Sequence, residues 1–273
     1  FSGVLHAQNL LSVSGPPIYL DQLRGAMKAF EDALYYVSAR AHYSVLYRWQ
    51  PGKEPEVLTG EDCSVDFFDI RDGKIFTVGF AGNDLQEVYR LEKDGSQKKV
   101  TSFNKNALKG KYVATPQPLT FVNKEGNTIE GWVLLPKDYD ESKTYPLMMT
   151  MPGYDMMWFG EDSSGNNLKW SGFQVWTELA EDMIVVSAQF TDWHETSARQ
   201  AIELTEYFMD HFSVDQSRIY AAGYSAGGET MSQAVAMRPD LYAAYLHGAS
   251  QWDGDYAPVV QNGVAVYIFM AEH

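Results

Sequence analysis

The amino-acid sequence predicts an α/β fold, a parallel sheet with helices on both faces, preceded by an all-β segment. Three observations carry this. From residue 115 onward, strand-like runs alternate with helix-like runs. A Gly-x-Ser-x-Gly turn, Gly223-Tyr224-Ser225-Ala226-Gly227, stands between such a strand and such a helix. Upstream, a pattern of short strands repeats at an offset of about 42 residues.

Residues 1–32 read as a Gly/Ser/Pro-containing loop followed by a helix, because Leu20, Leu23, Met27 and Phe30 recur at helical spacing. Residues 33–114 read as strands. Leu34-Tyr35-Tyr36-Val37 corresponds to Ile75-Phe76-Thr77-Val78, Leu46-Tyr47-Arg48-Trp49 to Val88-Tyr89-Arg90-Leu91, and Leu58-Thr59 to Val100-Thr101. Turn signals at Pro51-Gly52, Asp72-Gly73, Gly82-Asn83-Asp84 and Asp94-Gly95 separate them. This period is the length of a four-stranded propeller blade, and a small two-sheet β-domain is the alternative. Two blades cannot close a ring, because each buries its faces against neighbours.

Residues 115–273 form the α/β part. Leu119–Val122 and Ile129–Leu135 read as a hairpin around Lys124-Glu125-Gly126-Asn127. Tyr145–Met151 and Ile184–Phe190 are buried strands, with a helix expected over Trp170–Glu181. Ala198, Ile202, Thr205, Phe208, Met209 and Phe212 share one helix face. The strand Ile219–Ala222 leads into the Ser225 turn and a helix over Glu229–Met237, and strands follow at Tyr242–His247 and Val264–Met270.

The Ser225 turn has a chemical logic. So sharp a reversal strains the serine backbone and needs small neighbours, Gly223 and Gly227. The hydroxyl then stands clear of the sheet as a nucleophile, and the next backbone N–H, that of Ala226, points to where a substrate oxyanion forms. Gly153 or Tyr154, after the Tyr145–Met151 strand, is the expected second oxyanion donor. Met156, Met157 and Trp158 are candidates to line an apolar acyl pocket. His247, at a strand end, reads either as a pocket wall or as a satisfied core histidine, and His194 likewise. His6, His42 and His211 read as surface or structural groups.

Composition narrows the class. With 273 residues, 45% hydrophobic and 14% aromatic, the chain is globular and long enough for two domains or one large one. A net charge of −15 opposes nucleic-acid binding. No apolar run nears the roughly 20 residues that span a bilayer. Cys63, the one cysteine, permits no internal disulfide and leaves the compartment open, with the cytoplasm favoured and secretion not excluded. No histidine pair has zinc-ligand spacing, so no metal is expected.

Two stretches carry a family resemblance. The phrase I-E-G-W-V-L-L-P-K-D-Y-D with K-T-Y-P-L, from Ile129 to Leu147, resembles the start of the hydrolase domain in the prolyl oligopeptidase family. The segment Asp72–Asn104 is similar to the last propeller blade of its acylaminoacyl-peptidase-like branch. The likeness runs from about residue 33 to the end. It implies a serine peptidase, a propeller domain gating an α/β-hydrolase domain, short peptide substrates and no cofactor. The family's His-Gly-Gly-Pro is replaced here by Met151-Pro152-Gly153-Tyr154, and the stretch from Asp155 to Trp193 looks closer to esterases of the superfamily. Carboxylesterase is therefore the second reading. The third is a degenerate, non-catalytic module whose open blade edges invite self-association.

A serine hydroxyl needs a histidine base and an orienting acid, in the chain order Ser, acid, His in this fold. Ala271-Glu272-His273 resembles the residues immediately before the family's acid. The resemblance thus places the acid and the histidine beyond residue 273, in a chain expected to be cut short and nearly inactive as it stands. The alternative is an internal set, with Asp253 or Asp255 as acid and His273 as base.

Overall fold

The computed structural model describes residues 27–40, 43–60, 63–81, 84–154, 171–190 and 192–270. The chain divides into two compact units between Lys109 and Gly110. Among the described residues no helix is long and apolar enough to cross a membrane.

The first unit holds two four-stranded antiparallel sheets. One contains β1 (Met27–Phe30), β2 (Ala33–Arg40), β3 (Tyr43–Trp49) and β4 (Glu56–Val57); the other contains β5 (Cys63–Arg71), β6 (Lys74–Ala81), β7 (Glu87–Leu91) and β8 (Gln97–Lys99). The repeat seen in the sequence extends to individual hydrogen bonds. Leu58 N–H donates to Leu46 O at 2.8 Å, and Val100 N–H to Val88 O at 2.8 Å. Leu46 N–H donates to Thr59 Oγ1 at 3.2 Å, and Val88 N–H to Thr101 Oγ1 at 2.9 Å.

The expected helix ending at Phe30 is corrected. Met27–Phe30 is a strand, antiparallel to Ala33–Tyr36 across a tight turn in which Glu31 takes φ 52°. Met27 and Phe30 stand at the two ends of this four-residue strand, and pairing to a neighbouring strand outweighs so weak a local preference. Leu20 and Leu23 lie outside the described residues. Among the described residues the first sheet thus takes in Met27–Phe30 ahead of Ala33.

The second unit is built on one seven-stranded sheet. Its strands are β9 (Gln117–Val122), β10 (Thr128–Leu134), β11 (Tyr145–Met151), β12 (Ile184–Gln189), β13 (Val214–Tyr224), β14 (Ala244–Gly248) and β15 (Ala265–Phe269). The spatial order is β15-β14-β13-β11-β12-β10-β9. From β12 to β15 the neighbours run parallel, and the β9–β10 hairpin closes one edge antiparallel. Asn123 shapes that hairpin, its Oδ1 accepting from Asn127 N–H at 2.7 Å and Glu125 N–H at 3.1 Å.

Among the described residues the helices are α1 (Ser171–Gln174), α2 (Trp176–Leu179), α3 (Glu195–His211), α4 (Ala226–Met237) and α5 (Tyr256–Gln261). The helix expected over Trp170–Glu181 is instead two short pieces and a 3₁₀ turn, in a stretch weakened by Gly172, Val175 and Thr177. Every residue of β11 and β12 is buried, as continuous apolar strands in a parallel sheet require. Leu147, Met149 and Met151 of β11 join Val186 of β12, Ala221 of β13, Leu204 and Phe208 of α3, and Met231 and Val235 of α4 in one cluster. Burying each larger side chain contributes about 1.5–3 kcal/mol. The opposite face, through Met148, Tyr220, Leu246 and Tyr267, lines an open apolar groove of about 250 Å³.

Glu87, 2% exposed, anchors the chain after the second sheet. Its carboxylate accepts from Thr101 Oγ1 and from the N–H groups of Phe103 and Asn104. Glu87→Ala leaves these donors unpaired, and a loss of about 2–3 kcal/mol is expected, read as a lower urea midpoint for the first unit.

Candidate active site

The chain crosses from β12 over β11 to β13, so the direction of winding reverses between β11 and β13. Such a reversal opens a crevice beyond the carboxyl ends of the strands. Ser225 lies there, immediately after β13, and Pro152-Gly153-Tyr154 lies there immediately after β11.

Ser225 has φ 52° and ψ −127°, a conformation L-residues seldom adopt and one that costs about 1–3 kcal/mol. Its surroundings hold it there. Ser225 N–H donates to Gly248 O at 3.0 Å, and Ser225 O accepts from Gly228 N–H at 2.7 Å and Glu229 N–H at 3.2 Å. The glycines permit the approach. A Cβ on Gly223 would lie 2.5 Å from Gly227 O, and one on Gly227 would lie 2.3 Å from Pro152 O and 2.4 Å from Met151 O. The helix α4 therefore starts hard against the end of β11.

Gly153 borders the nucleophile directly, since a Cβ there would sit 3.4 Å from Ser225 Cβ and 3.8 Å from Ser225 Oγ. Ala226 is the first residue of α4, where backbone N–H groups have no partner within the helix and favour negative charge. Tyr154 is 43% exposed, with its ring edge-on to Trp193 at 5.2 Å. The arrangement thus brings Ser225, Ala226, Gly153 and Tyr154 to one end of the sheet. Among the described residues no hydrogen bond reaches Ser225 Oγ.

The other predicted residues divide. Asp255 caps α5, its Oδ1 accepting from Ala257 N–H at 2.9 Å. Asp253 accepts from Gln251 Nε2 at 3.0 Å, and its N–H donates to Ser232 Oγ at 2.9 Å. Its charge is felt at Glu229, whose carboxyl is pushed up first by burial and then by Asp253, with His194 opposing. Met156, Met157, Trp158 and His273 lie outside the described residues. Among those described, no group of three or more His, Cys, Asp or Glu is placed to hold a metal ion.

His247 is a satisfied core histidine, and its placement as a pocket wall is corrected. It is 2% exposed. Its Nε2 stands 3.0 Å from Ser250 O and its Nδ1 2.7 Å from Tyr245 Oη. A carbonyl only accepts, so Nε2 carries a proton, while Nδ1 and Gly228 O both face the single phenolic proton of Tyr245, and burial favours the neutral imidazole. Sequence patterning left this role open beside that of a pocket wall, and it missed Ser250. Ser250 meets Ser225 across the ends of β14 and β13, and His247 meets Tyr245 and Ser250 at the end of its own strand.

Burial pushes the His247 imidazole below its ordinary value, with the Ser250 carbonyl opposing. The unfolded chain therefore binds a proton more readily than the folded one. The contribution of neutral His247 to stability is complete above about pH 6.5 and drains as the pH falls below it. The urea midpoint of the wild-type protein is expected to fall between about pH 7.5 and 5.5 more steeply than that of His247→Gln.

Comparison with known proteins agrees with this geometry. Residues 187–256 match the model of the Prolyl oligopeptidase family. No curated protein sequence matches the chain. Among solved structures, an acylaminoacyl peptidase in complex with Z-Gly-Gly-Phe-chloromethyl ketone superposes with a TM-score of 0.66 at 14% identity, covering 90% of this chain and 50% of that one. The Pyrococcus horikoshii acylaminoacyl peptidase gives 0.64 at 14%, with 90% and 50% covered. Puromycin hydrolase gives 0.59 at 16%, with 80% and 35% covered. The chain spans about half the length of these acylaminoacyl peptidases. The resemblance read from the sequence thus stands: the segment that carries Ser225 matches the model of the prolyl oligopeptidase family, in a chain whose fold is similar to about half of an acylaminoacyl peptidase.

Proposed function

We propose that the protein is a serine peptidase of the prolyl oligopeptidase type that cleaves short peptides through an acyl-enzyme. The observation that carries this reading is Ser225 itself, held at φ 52° over the N-terminus of α4 with Gly153 alongside. In this mechanism Ser225 Oγ attacks the scissile carbonyl and gives its proton to a histidine. The oxyanion is met by Ala226 N–H and by a second N–H from Gly153 or Tyr154. The leaving amine takes the proton, and water then releases the acyl group. Each oxyanion donor supplies about 3–4 kcal/mol of transition-state stabilisation. The histidine and its acid come from outside the described residues. His247 has both nitrogens engaged, and Asp255 caps a helix. We read the two four-stranded sheets as propeller blades, consistent with the 42-residue recurrence of their hydrogen bonds and with the fold of the acylaminoacyl peptidases.

The stretch after β11 that departs from the family supports carboxylesterase as a second reading. Fluorophosphonate labelling of the full-length protein, followed by assays on acyl-peptide amides and short-chain aryl esters, separates the readings. Stoichiometric labelling of Ser225 with amide cleavage is expected. Labelling with failure on every amide leaves the esterase, and no labelling at Ser225 leaves the non-catalytic module. Rapid labelling of Ser225 within residues 1–273 by themselves favours the internal set with His273.

The close approach of α4 to β11 gives a second test. Gly227→Ala forces a Cβ into the carbonyls of Met151 and Pro152 and displaces Ala226 N–H from the oxyanion position. The expected outcome is a kcat at least about a hundredfold lower, the scale of losing one oxyanion donor, with the protein still folded by circular dichroism.

A further inference from the structure

We propose that Ser250 is a positioning residue for the Ser225 nucleophile, locked in place by the buried pair His247 and Tyr245. The inference rests on the reading of Ser225 as nucleophile and adds the residues that aim its oxyanion donor.

The geometry begins at the end of β14. Gly248 O accepts from Ser225 N–H at 3.0 Å. Ala249 then takes φ 44°, its N–H donating to Phe269 O at 2.8 Å, and this left-handed residue turns the chain back toward the nucleophile. Ser250 follows, 8% exposed, and its Oγ donates to Ser225 O at 2.7 Å, with Gln251 O as the longer alternative acceptor at 3.0 Å. One loop therefore engages both backbone groups of Ser225.

The bond to Ser225 O matters because that carbonyl and Ala226 N–H belong to one planar peptide unit. The two point in opposite directions. Fixing the carbonyl toward Ser250 fixes the N–H on the other side, which is the oxyanion donor. Rotation of this plane about the Ser225 ψ angle misdirects the donor without moving any group that binds the rest of a substrate.

Ser250 is itself held. Its carbonyl accepts from His247 Nε2 at 3.0 Å, and His247 Nδ1 meets Tyr245 Oη at 2.7 Å. Tyr245 Oη lies 2.9 Å from Gly228 O, and Trp252 packs against both rings at 5.3 and 5.6 Å. Gly228 leaves the room, since a Cβ there would come within 2.5 Å of Ser250 Cβ. The network runs from β14 to the first turn of α4 and encloses the peptide unit it orients.

The test uses the full-length protein, an acyl-peptide anilide substrate and fluorophosphonate labelling of Ser225. Ser250→Ala is expected to lower kcat about tenfold with KM within about twofold, and to slow labelling by a similar factor. Ser250→Thr, which restores the hydroxyl, is expected to recover most of the loss. Tyr245→Phe leaves Ser225 and Ser250 chemically intact and is expected to lower kcat in the same direction by a smaller factor, which keeps the proposal testable should Ser250→Ala not fold. A kcat and labelling rate unchanged in Ser250→Ala, a rise in KM alone, or a threonine variant no better than alanine overturns the proposal while wild-type labelling stands. Wild-type protein that never labels at Ser225 overturns the nucleophile reading itself, and this inference with it.

Discussion

Ser225 adopts a backbone conformation that glycine takes freely and serine does not, and the second unit is arranged so that it has no easier alternative. Its amide is tied to the end of β14, and its carbonyl is tied to the first turn of α4 and to Ser250. The strain of about 1–3 kcal/mol is small beside the burial of β11, β12 and the inner faces of α3 and α4. A packed core can hold a strained turn because relaxing the turn would pull α4 off the sheet. The close contact between Gly227 and the carbonyls of Met151 and Pro152 is where that restraint acts most directly.

The sheet topology explains why the chemistry gathers where it does. Strands β11, β13 and β14 run parallel, so the loops that follow them leave from the same end. Reversal of the winding between β11 and β13 separates those loops enough for a crevice. Gly153 reaches Ser225 from one side and Ser250 from the other. Nearby, burial and then the charge of Asp253 raise the affinity of the Glu229 carboxyl for protons.

Much of this was legible in residue patterns. Unbroken apolar runs announced β11 and β12, because a strand buried on both faces has no polar side to alternate with. The 42-residue repeat announced two equivalent sheets, and the recurring threonine bonds at Thr59 and Thr101 show that the repeat is a packing unit. Less legible was the segment ending at Phe30, where four apolar residues at helical spacing concealed a strand made by its partner β2. The helix before β12 was also overread, in a stretch where glycine and β-branched residues weaken the local preference.

Ser225 shows the division most clearly. By itself the sequence determined that a serine flanked by Gly223 and Gly227 sits between a strand and a helix, because those glycines are required locally and their spacing is visible. It also marked Gly153 and Ala226 as neighbours of the reacting atom, since strand ends in a parallel sheet converge. Only the tertiary structure decided that His247 is a buried, fully engaged histidine and that Asp255 is a helix cap. It alone brought Ser250, 25 residues downstream, against the serine carbonyl. The Ser250 contact joins the ends of β14 and β13, while the bonds of His247 and the cap of Asp255 are local, and none of these contacts leaves a periodic trace in the chain.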